Sequence, residues 1–164
     1  MIYLRHIAAL HKGVVLDNDN FTEWNLGFWT VGGDSPMDIN LGLHYLWKTE
    51  IYKLAKYLVS ISESQKQGEA ICLSILLTPT DGNGVSNSDC EQFGLDNYEQ
   101  VDDVLQTMYF QKNGMNNIKY KEEYIRLVDS YNEQGVDKVM VLHQNTEYKR
   151  VPAPIKPTRE ELEL

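Results

Sequence analysis

The apolar residues change their spacing between residues 23 and 61, and this change limits the folds that the chain can adopt. Over residues 23–31 and again over 39–45, apolar and polar side chains alternate, a pattern typical of half-buried strands. From Trp47 onwards the apolar residues recur every three or four positions, which predicts a helix over about 47–67 that ends at Gly68. We therefore expect an antiparallel strand pair followed by a helix.

The rest of the chain adds strands and helices without a regular alternation. Residues 2–10 predict a strand, although a short helix fits nearly as well, and the continuous apolar run 70–77 predicts a central strand. Apolar spacing predicts helices over 101–112 and 120–131, and a closing β-hairpin over 136–143 and 146–151. The predicted fold class is α+β, with an antiparallel or mixed sheet and about three helices. We expect one domain over residues 1–152 and a frayed, proline-rich and acidic tail over 153–164.

The formal charge of −9 is concentrated in one segment. Residues 79–105 contain seven acidic side chains and no lysine or arginine: Asp81, Asp89, Glu91, Asp96, Glu99, Asp102 and Asp103. Asp96 and Glu99 fit the start of a helix, where the helix dipole favours negative charge. The other acids predict either a solvated loop or a surface that steers a basic partner. The same negative field argues against nucleic acid as the partner.

Tests for known catalytic and metal-binding motifs give no match. Asp81-Gly82-Asn83-Gly84 begins like a calcium loop, but Val85 and Ser86 stand where a ligand and a glycine are needed. Cys72 and Cys90 have no cysteine or histidine at metal-ligand spacing, so we expect no metal and no cofactor. The chain has four histidines: His6, His11, His44 and His143. Acid–base chemistry would need two or more of them to lie close together in space, and their spacing in the sequence does not require this. The catalytic residues, if there are any, stay unknown.

Sequence features also bear on the cellular location. No apolar run approaches the ~20 residues that a membrane-spanning helix needs, and the N-terminal residues lack the pattern of a cleavable leader. The two cysteines are more typical of a reducing compartment than of a disulfide framework. We therefore expect a cytoplasmic protein with no membrane partner.

The acidic segment supports a first hypothesis for function. In this hypothesis the chain is a non-catalytic acidic binding protein that neutralises a basic protein partner, as immunity proteins and inhibitors neutralise nuclease toxins. The seven acidic residues would then form the partner-binding site, and the chain would not be an enzyme. One alternative is a small metal-dependent hydrolase or nuclease-like enzyme that uses carboxylates of residues 81–103 with a histidine. Another is an oligomer-forming subunit that associates through Trp29 or the 120–131 face, and a homo-oligomer is left open.

Overall fold

Helices account for most of the structure. The computed structural model describes residues 2–30, 39–40, 43–64 and 88–150. Within them lie eight α-helices: α1 (Ile2–Leu10), α2 (Phe21–Leu26), α3 (Lys48–Ser64), α4 (Asp89–Phe93), α5 (Tyr98–Lys112), α6 (Asn117–Ser130), α7 (Glu133–Asn145) and α8 (Glu147–Arg150). In this part of the chain, no helix is both long and apolar enough to cross a membrane.

The strands of the described residues are short and parallel. β1 (Leu16–Asp17) pairs with β2 (Ile39–Asn40), with Leu16 opposite Ile39 and Asp17 opposite Asn40. A 3₁₀ turn follows at Leu43–Tyr45. The predicted α+β class with an antiparallel or mixed sheet is therefore wrong, because helices replace most of the predicted strands.

The hydrophobic core surrounds α5. This helix packs against α2, α3, α6 and α7, and α4 packs against α7. The fully buried aliphatic side chains come from four helices and include Leu26, Val101, Val104, Leu105, Leu127, Val136 and Val139. The core consequently depends on contacts between helices rather than on a sheet.

The helices predicted from regular apolar spacing are confirmed. The stripe beginning at Trp47 belongs to α3, and the predicted 101–112 helix is α5, which begins three residues earlier at Tyr98. The predicted 120–131 helix corresponds to α6. Long stretches with a period near 3.6 identify helices reliably because one face of each must be buried.

Four predicted strands are largely helical instead. Residues 2–10 form α1, and the 23–31 strand is replaced by α2 and the turn that follows it. The predicted closing hairpin is α7 and α8. In α7 the buried residues Val136, Val139 and Met140 follow helical spacing, whereas Val141 is exposed, so the valine-rich composition suggested the wrong period.

Several sequence predictions fall outside the described residues. These are the central strand at 70–77, Cys72, Asp81 and the tail at 153–164. The single-domain boundary at residue 152 stays a prediction for the same reason.

Candidate functional site

Helix α2 begins with a capping box that is tied to α3. The Asn20 side chain accepts a hydrogen bond from Glu23 N at 3.0 Å, and Glu23 Oε2 accepts one from Asn20 N at 3.0 Å. Glu23 Oε1 also forms an ion pair with Lys48 Nζ at 2.9 Å, in a largely buried setting. The cap therefore orders the loop before α2 and fixes it to the first turn of α3.

A buried carboxylate joins α2, α3 and α5. Asp102 is 1% exposed; its Oδ1 accepts from Thr22 Oγ1 at 2.5 Å and its Oδ2 accepts from Thr49 N at 2.9 Å. Thr22 Oγ1 in turn accepts from Lys48 N at 2.8 Å. Burial raises the pKa of the Asp102 carboxyl, although the hydrogen bonds from Thr22 and Thr49 oppose this shift. We call these hydrogen bonds between Asp102, Thr22 and Thr49 the Asp102 bracket, and they set the position of α2 against the core.

Aromatic rings cover one side of α2. Trp24 and Trp29 stack with centroids 4.9 Å apart and planes 7° apart, and His44 meets Trp24 edge-on at 4.4 Å. We call these three residues the aromatic ledge. Trp24 and His44 are half-buried, and Trp29 is buried with its Nε1 unpartnered among the described residues. Burial lowers the pKa of the His44 imidazole and Asp17 only partly opposes this, so the ring is neutral at neutral pH.

The C-terminal end of α2 is held by cationic side chains from α8. Lys149 Nζ donates to the carbonyls of Gly27 and Trp29, each at 2.6 Å, and Arg150 Nη1 donates to Asn25 O at 2.8 Å. The His143 ring donates from Nδ1 to Asn25 O at 3.0 Å. These contacts satisfy carbonyls that the end of a helix leaves open. They also place a positive charge beside the ledge, with Lys149 Nζ lying 5.5 Å from the Trp29 ring centroid.

The structure distributes the predicted acidic residues between interior and surface. Asp102 lies in the interior, and Asp89 accepts a hydrogen bond from Tyr98 Oη at 2.7 Å. Asp103 binds the Arg126 guanidinium through two hydrogen bonds of 2.8 and 2.9 Å and accepts a third from Tyr131 Oη at 2.7 Å. These three acids therefore stabilise contacts within the chain.

The exposed acids of this segment lie at the starts of helices. Glu91 is in the first turn of α4, Glu99 is in the first turn of α5, and Asp96 contacts Gln100 just before it. Such positions stabilise the helix dipole. As members of a binding surface these residues stay predictions, whereas Asp102 is not on the surface and Asp81 lies outside the described residues.

The Asp103 ion pair makes the stability of the protein depend on pH. Burial alone would raise the pKa of Asp103, but hydrogen bonds from Arg126 and Tyr131 outweigh it and hold the pKa below its usual range. A lowered folded-state pKa contributes stability above the unfolded value of about 3.9 and loses it as the pH falls. Asp103→Asn should therefore cost about 0.5–1 kcal/mol at pH 7 and less near pH 3, as measured by urea unfolding. The pH dependence should shrink in an Arg126→Gln background; an equal effect in both backgrounds would contradict this account.

The histidines do not converge on one site. His6 and His11 are exposed on or beside α1, His44 belongs to the aromatic ledge, and His143 contacts the end of α2. Among residues 2–30, 43–64 and 88–150, no three His, Cys, Asp or Glu side chains lie close enough to hold a metal ion. Trp29, considered above as an oligomer contact, is 5% exposed and belongs to the interior.

Comparison with known proteins identifies the family. The family model of NAD synthase matches residues 1–153. The chain belongs to the NAD synthase family. It is 30% identical over 150 residues to the NH3-dependent NAD+ synthetase of Thermoplasma acidophilum, a match that covers 92% of this chain and 51% of that protein. The Picrophilus torridus NH3-dependent NAD+ synthetase is 28% identical over 140 residues, covering 85% of this chain and 51% of the relative.

A solved structure supports the same fold. The chain superposes on NMN synthetase from Francisella tularensis with a TM-score of 0.60 and 23% identity, over 93% of this chain and 50% of that one. At this identity the likeness concerns the fold. The chain spans about half the length of the curated NAD synthase relatives that it matches.

Membership of the NAD synthase family corrects the functional predictions. The hypothesis of an acidic immunity or inhibitor protein is wrong, and so is the expectation that the chain is not an enzyme, because its relatives are synthetases. The expected basic toxin partner is wrong, since the family acts on small molecules. The metal-dependent hydrolase or nuclease and the oligomer-forming structural subunit are overturned by the same family match.

Sequence reasoning missed the residues that hold α2. Asn20 and Glu23 have the spacing of a capping box, which would have predicted a helix start at Phe21. Lys149 and Arg150 gave no comparable signal, because the carbonyls that they bind at the end of α2 lie more than 100 positions away in the chain.

Proposed function

We propose that this chain contributes to the NH3-dependent synthesis of NAD+. The observation that carries the proposal is the family match over residues 1–153. The described helices arrange several polar and aromatic groups around α2, whereas the outer groove of α7 (Gln134, Asp137, Lys138, Val141, Leu142, Asn145) has no such groups from other helices. We therefore place the ligand-binding part of the activity at α2.

The aromatic ledge supplies a surface that suits a flat heterocycle. Trp24 is partly exposed, and an indole face can stack on either ring system of NAD+. Trp29 Nε1 is a buried donor without a partner among the described residues, so it can satisfy an acceptor on a ligand. Lys149 adds positive charge beside the ledge, which suits the phosphates of a dinucleotide.

Binding of NAD+ can be followed through the ledge itself. Trp24→Ala should weaken NAD+ binding by about tenfold, because it removes the partly exposed indole of the aromatic ledge. Titration of NAD+ with tryptophan fluorescence and calorimetry as readouts measures this change. Tyr57→Ala is the matched control, since Tyr57 is an exposed aromatic residue on α3 away from the ledge. Equal affinities in the Trp24 and Tyr57 variants would place the ligand elsewhere.

The synthetic reaction has a direct isotopic test. Ammonia-dependent formation of NAD+ requires that the ammonia nitrogen enter the product, and the carboxamide is the group that ammonia and a carboxylate can form. The chain is incubated with 15N-ammonium, ATP and the dinucleotide that carries a carboxylate in place of the carboxamide. The assay is then repeated with this chain after adding the half of a relative that this chain does not match. Formation of 15N-NAD+ supports the proposal, and its absence in both assays contradicts it.

We also propose that this activity takes place in the cytoplasm. Cys90 is a free thiol in the core, and burial raises its pKa to about 12. An unpaired cysteine of this kind is typical of proteins from a reducing compartment.

A further inference from the structure

Arg150 is a partly buried arginine whose hydrogen bonds within the described structure go to neutral groups. Its Nη1 donates to Asn25 O at 2.8 Å and to Thr146 Oγ1 at 2.9 Å, and its Nη2 donates to His143 O. Among the described residues, no carboxylate lies within ion-pair distance of the guanidinium. Burial lowers the pKa of Arg150, and Glu147 only partly opposes this shift. Taking a charge out of water without an ionic partner costs free energy, so this arrangement does not maximise stability.

The carbonyls that Arg150 binds have other donors as well. Asn25 O also accepts from His143 Nδ1 at 3.0 Å, and His143 O also accepts from Thr146 Oγ1 at 3.2 Å. A buried polar group is costly mainly when it is left unpaired, and loss of the guanidinium would leave neither carbonyl in that state. The need to satisfy these carbonyls therefore does not explain why an arginine stands at this position.

What the guanidinium adds is a fixed direction for α8. Its planar fork contacts the end of α2 and the last turn of α7 at the same time, which the point charge of a lysine cannot do with the same geometry. α8 has only four residues and therefore little stability of its own. Its other basic residue, Lys149, donates to the carbonyls of Gly27 and Trp29 at 2.6 Å each. Lys149 can hold this turn only while α8 keeps its orientation.

We propose that Arg150 is a positioning residue of the aromatic ledge. It orients α8, and α8 presents Lys149 to the carbonyl of Trp29, whose indole stacks on Trp24. Arg150 needs no contact with a ligand for this role. A consequence for NAD+ binding follows only under the proposed function, whereas the geometry of the ledge can be observed without any ligand, so the two can fail separately.

Arg150→Met removes the fork and keeps an unbranched side chain that packs well in irregular surroundings. In 1H–15N NMR spectra of the chain without ligand, the indole Nε1–H resonances of Trp24 and Trp29 should shift, and the Trp29 proton should exchange faster with solvent. Trp47 is the internal reference, since its ring packs on Phe21 and not on α8. The urea midpoint should stay close to that of the wild type. NAD+ should bind about tenfold more weakly, because a ligand surface that is not held in place loses its preorganisation.

Arg126→Met is the matched control. Arg126 binds the carboxylates of Asp103 and Glu123, so its loss should lower the urea midpoint and leave the resonances of the aromatic ledge in place. Arg150→Lys is the second variant, because it keeps the positive charge and removes the fork. It should reproduce the resonance shifts of Arg150→Met.

Three results would overturn the role of Arg150. The first is unchanged Trp24 and Trp29 resonances in Arg150→Met, and the second is a wild-type spectrum in Arg150→Lys, which would mean that charge alone suffices. The third is a shift of all three indole resonances together with a large fall in the urea midpoint, which would make Arg150 a support of the whole fold. Shifted Trp24 and Trp29 resonances with unchanged NAD+ affinity would support the role of Arg150 and place NAD+ outside the aromatic ledge.

Discussion

Replacing Asp102 with alanine is expected to lower the free energy of unfolding by about 3 kcal/mol, because it leaves buried donors unpaired. The Thr22 hydroxyl and the Thr49 amide both donate to this carboxylate, and all three residues are buried. Urea unfolding followed by circular dichroism measures the change. Asp96→Ala is the control, because Asp96 is exposed and its loss should change the free energy by less than about 0.5 kcal/mol.

The pH dependence of the Asp102 effect has a defined sign. Burial raises the pKa of this carboxyl, and a raised folded-state pKa gives stability that is full below the unfolded pKa and is lost as the pH rises through the folded pKa. The difference between wild type and Asp102→Ala should therefore be larger in mild acid than at pH 8. If the difference in the free energy of unfolding grew with pH instead, burial could not be the dominant influence on the pKa of Asp102.

The Asp102 bracket shows why the acidic segment was misinterpreted from sequence. Charge counting treats Asp102 and Glu99 alike, yet Asp102 is enclosed by threonines while Glu99 is exposed in a first helical turn. The partners of Asp102 lie 80 and 53 positions away in sequence, so no local pattern marks it. Net charge describes the solvation and steering of a chain, and it does not locate the buried acids.

The helices that sequence could predict are those with long, regular apolar stripes. α3 and α5 each have 15 or more residues, so the period of their apolar stripes could be measured, although only α5 buries most of its stripe. α2 has only six residues, too few to show a helical period, and it lies in an aromatic run whose composition favours strands. In such short elements the caps carry more information than the apolar pattern, as the side chains of Asn20, Asn97 and Asn132 show at the starts of α2, α5 and α7.

The functional site was beyond prediction for a related reason. The aromatic ledge combines Trp24 and Trp29 with His44 from a separate turn, and alternation in an imagined strand would have placed the two tryptophans on opposite faces. The left-handed residue at Gly27 instead reverses the chain after α2 and brings Trp29 back onto Trp24. One backbone conformation therefore decides whether the ledge exists.

Substitution of Gly27 by alanine should accordingly be among the most damaging single changes in the chain. Gly27 has a φ of 68°, and a Cβ there would lie 2.6 Å from Thr146 Cβ. We expect a loss of about 3 kcal/mol, of which about 1 kcal/mol reflects the left-handed backbone and the rest the steric conflict with α7 and its cap. The tryptophan fluorescence of the Gly27→Ala variant should change together with its stability, because the turn at Gly27 sets the position of Trp29.

Gly94 provides a matched control for this prediction. It ends α4 with a φ of 74° in the same arrangement, where the glycine amide and the next amide bind carbonyls of the last turn. A Cβ at Gly94 would have nothing within 4 Å, so Gly94→Ala should cost only the backbone contribution of about 1 kcal/mol. The difference between the two variants, measured by urea unfolding, isolates the contact between Gly27 and Thr146. Equal losses in the free energy of unfolding would mean that α8 and Thr146 do not pack against the end of α2. The C-terminal helices would then not hold the aromatic ledge in place.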